Sequence, residues 1–440
     1  MNWVSRTLFS ALMCLSHEAI SGAPESISPQ ARAEMDTILM QKGARSVSDA
    51  KVHSGLLGAR DAVLQGQQSG GQPNNRFQSA QAFLKRNVSA DATVKIVIHG
   101  DVTPRVLSDL KLAGATEVSS FPRYRSITAR VPVTSVTALS SRPEVKSIQP
   151  FVRPVLNMKK LSPEEIKAWH IRYAAASLAG PITQSGSASS QGVVAHAADT
   201  VHQTGITGQG QKVCVLSDGV DYMAASQASG DLPSSIDIVS GQGGTTTDNS
   251  QAEGTAMLEI VYDMAPSASL GFASGFNGDA QMATNIGTLD TSKNCTVIVD
   301  DVTYFNEPPF QEGIIANAVT TVTGHGKAYF SSAGNSGNLL SGTAGTWEGD
   351  FLDGGPSTLS GESGTFHSFG SSIYNTLTQG TDNVILTWGD PQDASKNDYD
   401  LFVLDSSGAK ILAYSTDTQN GSQDPYESVS GQFPQGSKVV

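Results

Sequence analysis

Two neighbouring stretches decide how this chain is read: "GQGQKVCVLSDGVD", residues 208–221, and "AEGTAMLEIVYDMAP", residues 252–266. The first runs from a glycine-rich turn into an apolar run, Lys212–Leu216, and ends on Asp218. That is the pattern of a buried strand with a polar residue at its carboxyl end. The second has helical spacing. At 100° per residue, Ala256, Met257, Ile260 and Met264 fall on the face that Glu253 heads, while Glu259 and Asp263 form a separate narrow polar stripe. A carboxylate at the head of an apolar face serves either as a helix N-terminal charge, worth about 0.3–1 kcal/mol, or for chemistry.

The strand–helix grammar continues downstream. Leu270–Ala273 is a short strand, "NCTVIVDDVTYF" (294–305) another, "GIIANAVTTVTGHG" (313–326) an amphipathic helix, and "KAYFSSAGNSG" (327–337) a strand entering a small-residue turn. Strands alternating with helices predict a parallel α/β sheet, whose function sits at the carboxyl ends of its strands. Asp218, Asp301 and Asn335 all stand there. Taken singly, Asp218 and Asp301 also read as loop-capping residues and Asn335 as an ordinary turn residue.

Upstream, "VKIVIHG" from Val94, a helix opened by Thr103-Pro104, "TEVSSF", "SITARVP", a short helix over Val133–Leu139 and "EVKSIQP" give the order β-α-β-β-α-β. Residues 24–64 are weakly helical. Gln65–Asn75 and Pro181–Gly192 have linker composition, the latter a plausible site of nicking. Beyond about residue 360, "DNVILTWGD", "YDLFVLDSSGAKILAYSTD" and "GSKVV" predict an all-β module, read as a sandwich. The N-terminus, with Arg6, an apolar Thr7–Ser16 and Ser21-Gly22-Ala23, reads as a secretory signal peptide.

The 440 residues carry a formal charge of −13, 38% hydrophobic residues and 44 glycines, which fits a loop-rich globular chain and argues against a nucleic-acid partner. No apolar run reaches the ~20 residues that cross a bilayer. Cys214 and Cys295 remain after the signal; they read as two buried thiols, with one disulfide as the alternative in an exporting compartment. No metal-ligand spacing is present, so no metal site and no certain cofactor is expected. Asp398 and Asp400 in "NDYDLFV" are the residues a structural calcium would use.

The segment from about Thr207 to Gly337 resembles the subtilisin-like serine peptidases. "VLSDGVD" is similar to their strand-end catalytic Asp, "EGTAMLEIVYDMAP" to their His-Gly-Thr helix with Glu in place of His, and "SSAGNSG" to their oxyanion-hole Asn turn. The Glu is what the related sedolisins, or serine-carboxyl peptidases, carry. Sedolisins also have a second acid four residues later and Asp in place of the turn Asn, where this chain has Met257 and Asn335. The β-α-β-β-α-β module is similar to the inhibitory propeptides of these enzymes. The resemblance covers about 95–340 and implies an α/β fold: a subtilisin-like parallel sheet with helices on both faces, preceded by a ferredoxin-like propeptide domain and interrupted by a β-sandwich insertion.

Read this way, the chain divides into a signal peptide (1–23), a pro-region and linker (24–93), a propeptide-like domain (94–150), a lead-in (151–205), the N-terminal part of the catalytic domain (206–350) and the β-rich insertion (360–440). The implied function is a secreted endopeptidase with Asp218, Glu253 and Asn335 in catalysis, Asp301 lining the substrate site, polypeptide substrates, and its own propeptide as intramolecular inhibitor. His202 and His325 read as surface or helix-end residues. The family's Gly-Thr-Ser nucleophile motif is absent from the 440 residues, which reads as a truncated chain, with a pseudo-enzyme or an extracellular binding protein as the alternative. A glycosidase built on Asp218 and Glu253 would leave Asn335 unexplained.

Overall fold

A computed structural model describes residues 27–68, 78–156, 186–247, 249–357 and 364–440. The signal-peptide reading and much of both linker readings lie outside the described residues.

A five-stranded sheet, all parallel, holds β6 (Lys212–Ser217) at its centre, in the order β11-β9-β6-β8-β7. The other strands are β7 (Asp237–Ile238), β8 (Ser269–Ser274), β9 (Val297–Asp300) and β11 (Ala328–Ser331). Period-2 alternation sends consecutive β6 residues to opposite faces. Cys214 and Leu216 join a core with Met282, Ile286 and Leu289 of the Asp279–Thr291 helix and Ala318 and Val322 of the Ile314–Gly324 helix. Val215 joins Leu258, Leu270 and Phe272 in the core under the Glu253–Met264 helix. An apolar central strand therefore buries both its faces, as a parallel strand must.

The β6–β9 pairing corrects the reading of the cysteines. Cys295 lies in the turn entering β9, on the side to which Cys214 points, and the two form a disulfide with Cα atoms 5.9 Å apart. Alternation shows which face a cysteine takes but not which strand lies beside it, so the sequence left the pairing open.

Before this sheet, β1 (Thr93–Gly100), β2 (Thr116–Phe121), β3 (Ser126–Pro132) and β4 (Val145–Pro150) form an antiparallel sheet in the order β2-β3-β1-β4. Helices α3 (Pro104–Leu112) and α4 (Val136–Ser140) complete its β-α-β-β-α-β order, with Thr103 capping α3 through the Val106 N–H. Val155–Leu156 then forms β5, antiparallel to β10 (Val302–Thr303).

The C-terminal region is antiparallel throughout: β12 (Asp353–Pro356) pairs with β13 (Thr365–His367); β14 (Asn375–Thr376), β16 (Leu401–Leu404), β17 (Ile411–Ser415) and β19 (Lys438–Val439) form one sheet; and β15 (Thr381–Thr387) pairs with β18 (Tyr426–Phe433). Every residue of β16 is buried. Leu401 and Val403 pack with Val429 and Phe433. Phe402 and Leu404, on the opposite face, pack with Ala31, Met35, Ile38 and Leu39 of α1 (Pro29–Gly43). The N-terminal helix is thus the cover of the C-terminal sheet. Lys42 at its end reaches Asp398 at 2.8 Å and Asp400 at 2.9 Å, so the two carboxylates proposed for calcium are engaged by an ammonium. Helix α2 (Ser54–Gln68) bridges the same units: Leu56 packs in the core of β1–β4, while the Ser54 N–H donates to Asp417 at 2.7 Å.

The disulfide closes a loop of 81 residues between two strands of the central sheet. Replacing both cysteines by alanine is expected to cost about 2–5 kcal/mol. Urea unfolding of the two versions measures it. The same loss should appear when the unsubstituted protein is unfolded in reductant, and equal midpoints in all three would contradict the linkage.

Candidate functional site

The site grows from the carboxyl end of β6. After Ser217 the chain leaves the sheet, and the Asp218 side chain turns toward the first turn of the Glu253–Met264 helix. That helix has no capping side chain of its own; its N-cap position is Ala252. Asp218 supplies what is missing. Its Oδ1 accepts the N–H groups of Gly219 (2.6 Å), Glu253 (3.1 Å) and Gly254 (3.3 Å). Carboxylate at a helix N-terminus gains from both the free donors and the helix dipole.

Gly254 makes the close approach possible. A Cβ there would stand 2.4 Å from both the Gly219 carbonyl oxygen and Phe272 Cε2. Any side chain would push the helix away from the strand end and from Asp218.

The packed side of the helix differs from the one the periodicity predicts. Gly254, Thr255, Leu258 and Asp263 are buried, whereas Ala256 is exposed and Ile260 is 50% exposed. Two loops draw the polar residues inward. Thr255 Oγ1 donates to the Asp221 carbonyl at 2.7 Å, and Asp263 Oδ2 accepts the N–H and hydroxyl of Ser190 at 2.6 and 2.7 Å. Glu253, on the less buried side, is left half-buried.

Asp301 follows β9, which pairs with β6 in the register Leu216↔Asp300. It therefore comes to the same edge as Asp218. It is 7% exposed, and neither of its oxygens has a hydrogen-bond partner. The hydroxyl of Ser217 lies beside it, equally buried and without a bond of normal geometry. The sequence reading gives this carboxyl a place lining the substrate site; its oxygens are buried here. The electrostatics of the three acids follow from their surroundings. Burial raises Asp218, and the three backbone donors oppose the rise. Burial and then the charge of Asp218 raise Glu253. Asp301 is pushed up to about 7, chiefly by burial, with Glu253, Asp218 and Asp300 adding repulsion.

Asn335 stands in the exposed turn that follows β11, the strand beside β9. The start of that turn is tied to the edge by Asp300, whose Oδ1 accepts the Ser331 hydroxyl at 2.8 Å and whose carbonyl accepts the Ser332 N–H at 3.0 Å. Asp218, Glu253 and Asp301 are thus brought together, and Asn335 lies on the same edge two strands from β6. His202 meets the Met264 carbonyl and His325 the Asp290 carboxylate, both at helix ends.

Sequence reading passed over Asp221. It is 4% exposed, and its carboxylate accepts the N–H and hydroxyl of Thr246 and the Gln251 N–H, fixing the loop that leads into the helix. The signal was available in the Asp-x-x-Asp spacing of "SDGVD", where the second carboxylate follows the strand end by one tight turn. Among the described residues no group of three or more His, Cys, Asp or Glu could hold a metal ion.

The native protein holds a proton on Asp301 that the unfolded chain has already lost, so this group's contribution to stability falls as pH rises from about 4 to about 7. Its full size is at most about 4 kcal/mol, and solvent reaching the edge reduces it. Asp301→Asn is expected to gain stability relative to the unsubstituted protein as pH climbs through that window. Urea midpoints at several pH values measure this. A difference independent of pH would contradict the assignment.

Neither a protein-family model nor a curated protein sequence matches this chain. Among solved structures, it has distant similarity to fervidolysin from Fervidobacterium pennivorans, a keratinolytic enzyme related to subtilisin, at 13% identity over 55% of this chain and 40% of that one, with a TM-score of 0.32. Two structures of the epidermin leader peptide processing serine protease from Staphylococcus aureus match at 12% identity, with TM-scores of 0.36 and 0.32 over 57% and 56% of this chain. The chain spans 62% and 61% of those two structures and so less than two thirds of each of the three.

Proposed function

We propose that this chain carries the Asp–Glu pair of a secreted serine-type endopeptidase of the subtilisin–sedolisin kind. The observation that carries the reading is the meeting of Asp218 and Glu253 at the carboxyl edge of a parallel sheet. In the proposed reaction the serine attacks a peptide carbonyl and Glu253 takes its proton as general base. Asp218 is held by three backbone donors that favour its charged form, and its charge raises the basicity of Glu253. Asn335 is assigned to the developing oxyanion, a donor of a kind whose loss costs about 2.7–4 kcal/mol.

A second observation supports polypeptide substrates. β5 lies antiparallel on β10, one residue beyond Asp301. An extended chain already occupies this edge by main-chain pairing, which is how an extended substrate would be held. The occupant follows directly on the β1–β4 sheet, so residues 94–150 are assigned as an inhibitory propeptide whose tail blocks the site. The Cys214–Cys295 disulfide fits an exporting compartment, and among the described residues no helix is long and apolar enough to cross a membrane.

The test is peptide release from denatured casein by the protein with its full natural coding sequence, beside the same protein carrying Glu253→Gln and beside residues 1–440 alone. The full protein is expected to cleave, Glu253→Gln to lower kcat/KM by at least about a hundredfold, and the 440-residue chain to release nothing. Turnover that survives Glu253→Gln, or a full protein that cleaves no peptide bond, would overturn the reading.

A further inference from the structure

Three carboxyls converge on the edge of the parallel sheet, and their hydrogen-bond donors are unevenly shared. Asp218 accepts three backbone N–H groups. Glu253 is half-buried. Asp301 is 93% buried and neither oxygen makes a hydrogen bond of normal geometry, though the buried Ser217 hydroxyl lies near enough to favour its charged form. We propose that Asp301 is a third member of the acid pair, a positioning residue that carries a proton beside Glu253 and thereby limits the charge of the cluster.

The order of ionisation follows from donors and burial. Each N–H directed at a carboxylate favours its charged form, and burial without donors favours the neutral one. Asp218 therefore ionises first and Asp301 last. The groups that face Asp301 act in the same direction: Asp218 at the end of β6, Glu253 on the helix and Asp300 on its own strand are all acids. The carboxyl is pushed up to about 7. Through the acid range its O–H has the neighbouring Ser217 oxygen as an acceptor, and the cluster carries one negative charge fewer. Near neutrality it loses that proton. A third negative charge then raises the proton affinity of Glu253, so that the last part of its ionisation is delayed to higher pH.

The consequence for turnover rests on the peptidase reading; the proton assignment does not. Ionisation of Asp301 would add a step near neutrality to the pH profile of a Glu-based site. Asp301 comes from the strand next to β6 and so joins the pair from another element.

The experiment is 13C NMR titration of the 440-residue chain labelled at its Asp and Glu carboxyl carbons, between about pH 3 and 9. A carboxyl titrating near 7 is expected and should disappear in Asp301→Asn. Glu253→Gln should lower that midpoint by at least about half a pH unit, since one repelling charge is gone. Ser217→Ala should raise it, because the hydroxyl eases the ionised form; this variant also identifies the resonance if Asp301→Asn does not fold. An Asp301 midpoint in the ordinary carboxylate range, or one unmoved by Glu253→Gln, would overturn the proposal. A chain that titrates as expected but whose full-length protein cleaves nothing would refute the peptidase reading alone. A full protein that cleaves peptides while Asp301 titrates normally would refute only its third-member role.

Discussion

The carboxylate of Asp218, gathered by three backbone N–H groups where β6 meets the Glu253–Met264 helix, is the contact on which the site depends. It satisfies donors that the helix leaves unmet, since no side chain caps it locally. In doing so it draws the helix start against the strand end, an approach that Gly254 alone permits. Glu253 is the first residue of that helix, so fixing the helix fixes Glu253 beside a negative charge. The closeness of two acids is thus a by-product of good capping, and their mutual repulsion is offset by hydrogen bonds that favour one of them.

Around this contact the chain is bound together from its two ends. The β16 strand is apolar on both faces, and its second face is covered by α1, some 360 residues earlier in sequence. The buried Lys42 completes that contact with Asp398 and Asp400. A buried ammonium with two carboxylate partners is costly to break because either partner left alone is stranded away from water. The β1–β4 unit lies between these ends, and its outgoing tail reaches the edge of the parallel sheet beside Asp301.

How much of this was legible in sequence divides along a physical line. The strand ending at Asp218, the helix opening at Glu253 and the β-α-β-β-α-β order were readable because each rests on local periodicity and turn chemistry. The buried side of the Glu253 helix was misread because Thr255 and Asp263 are satisfied by loops remote in sequence, and periodicity counts polar residues as outward-facing. The disulfide needed the register between β6 and β9, and the covering of β16 by α1 needed a contact across nearly the whole chain. "DLFVL" did carry a hint: four consecutive apolar residues in a strand require two covered faces. Asp301 was located correctly at a strand end, but its burial among acids was a property of pairing that no single segment contains.

Electrostatic coupling of Asp218 and Glu253 at the strand–helix junction is open to a double-mutant cycle. Folding stability is measured near neutral pH for the protein and for Asp218→Asn, Glu253→Gln and the two combined. The account predicts that Glu253→Gln stabilises the protein while Asp218 is present and loses that effect when combined with Asp218→Asn, an interaction of roughly 0.5–1 kcal/mol. Additive effects, within the few tenths of a kcal/mol expected of independent sites, would show that the two carboxyls do not sense one another and would contradict the account.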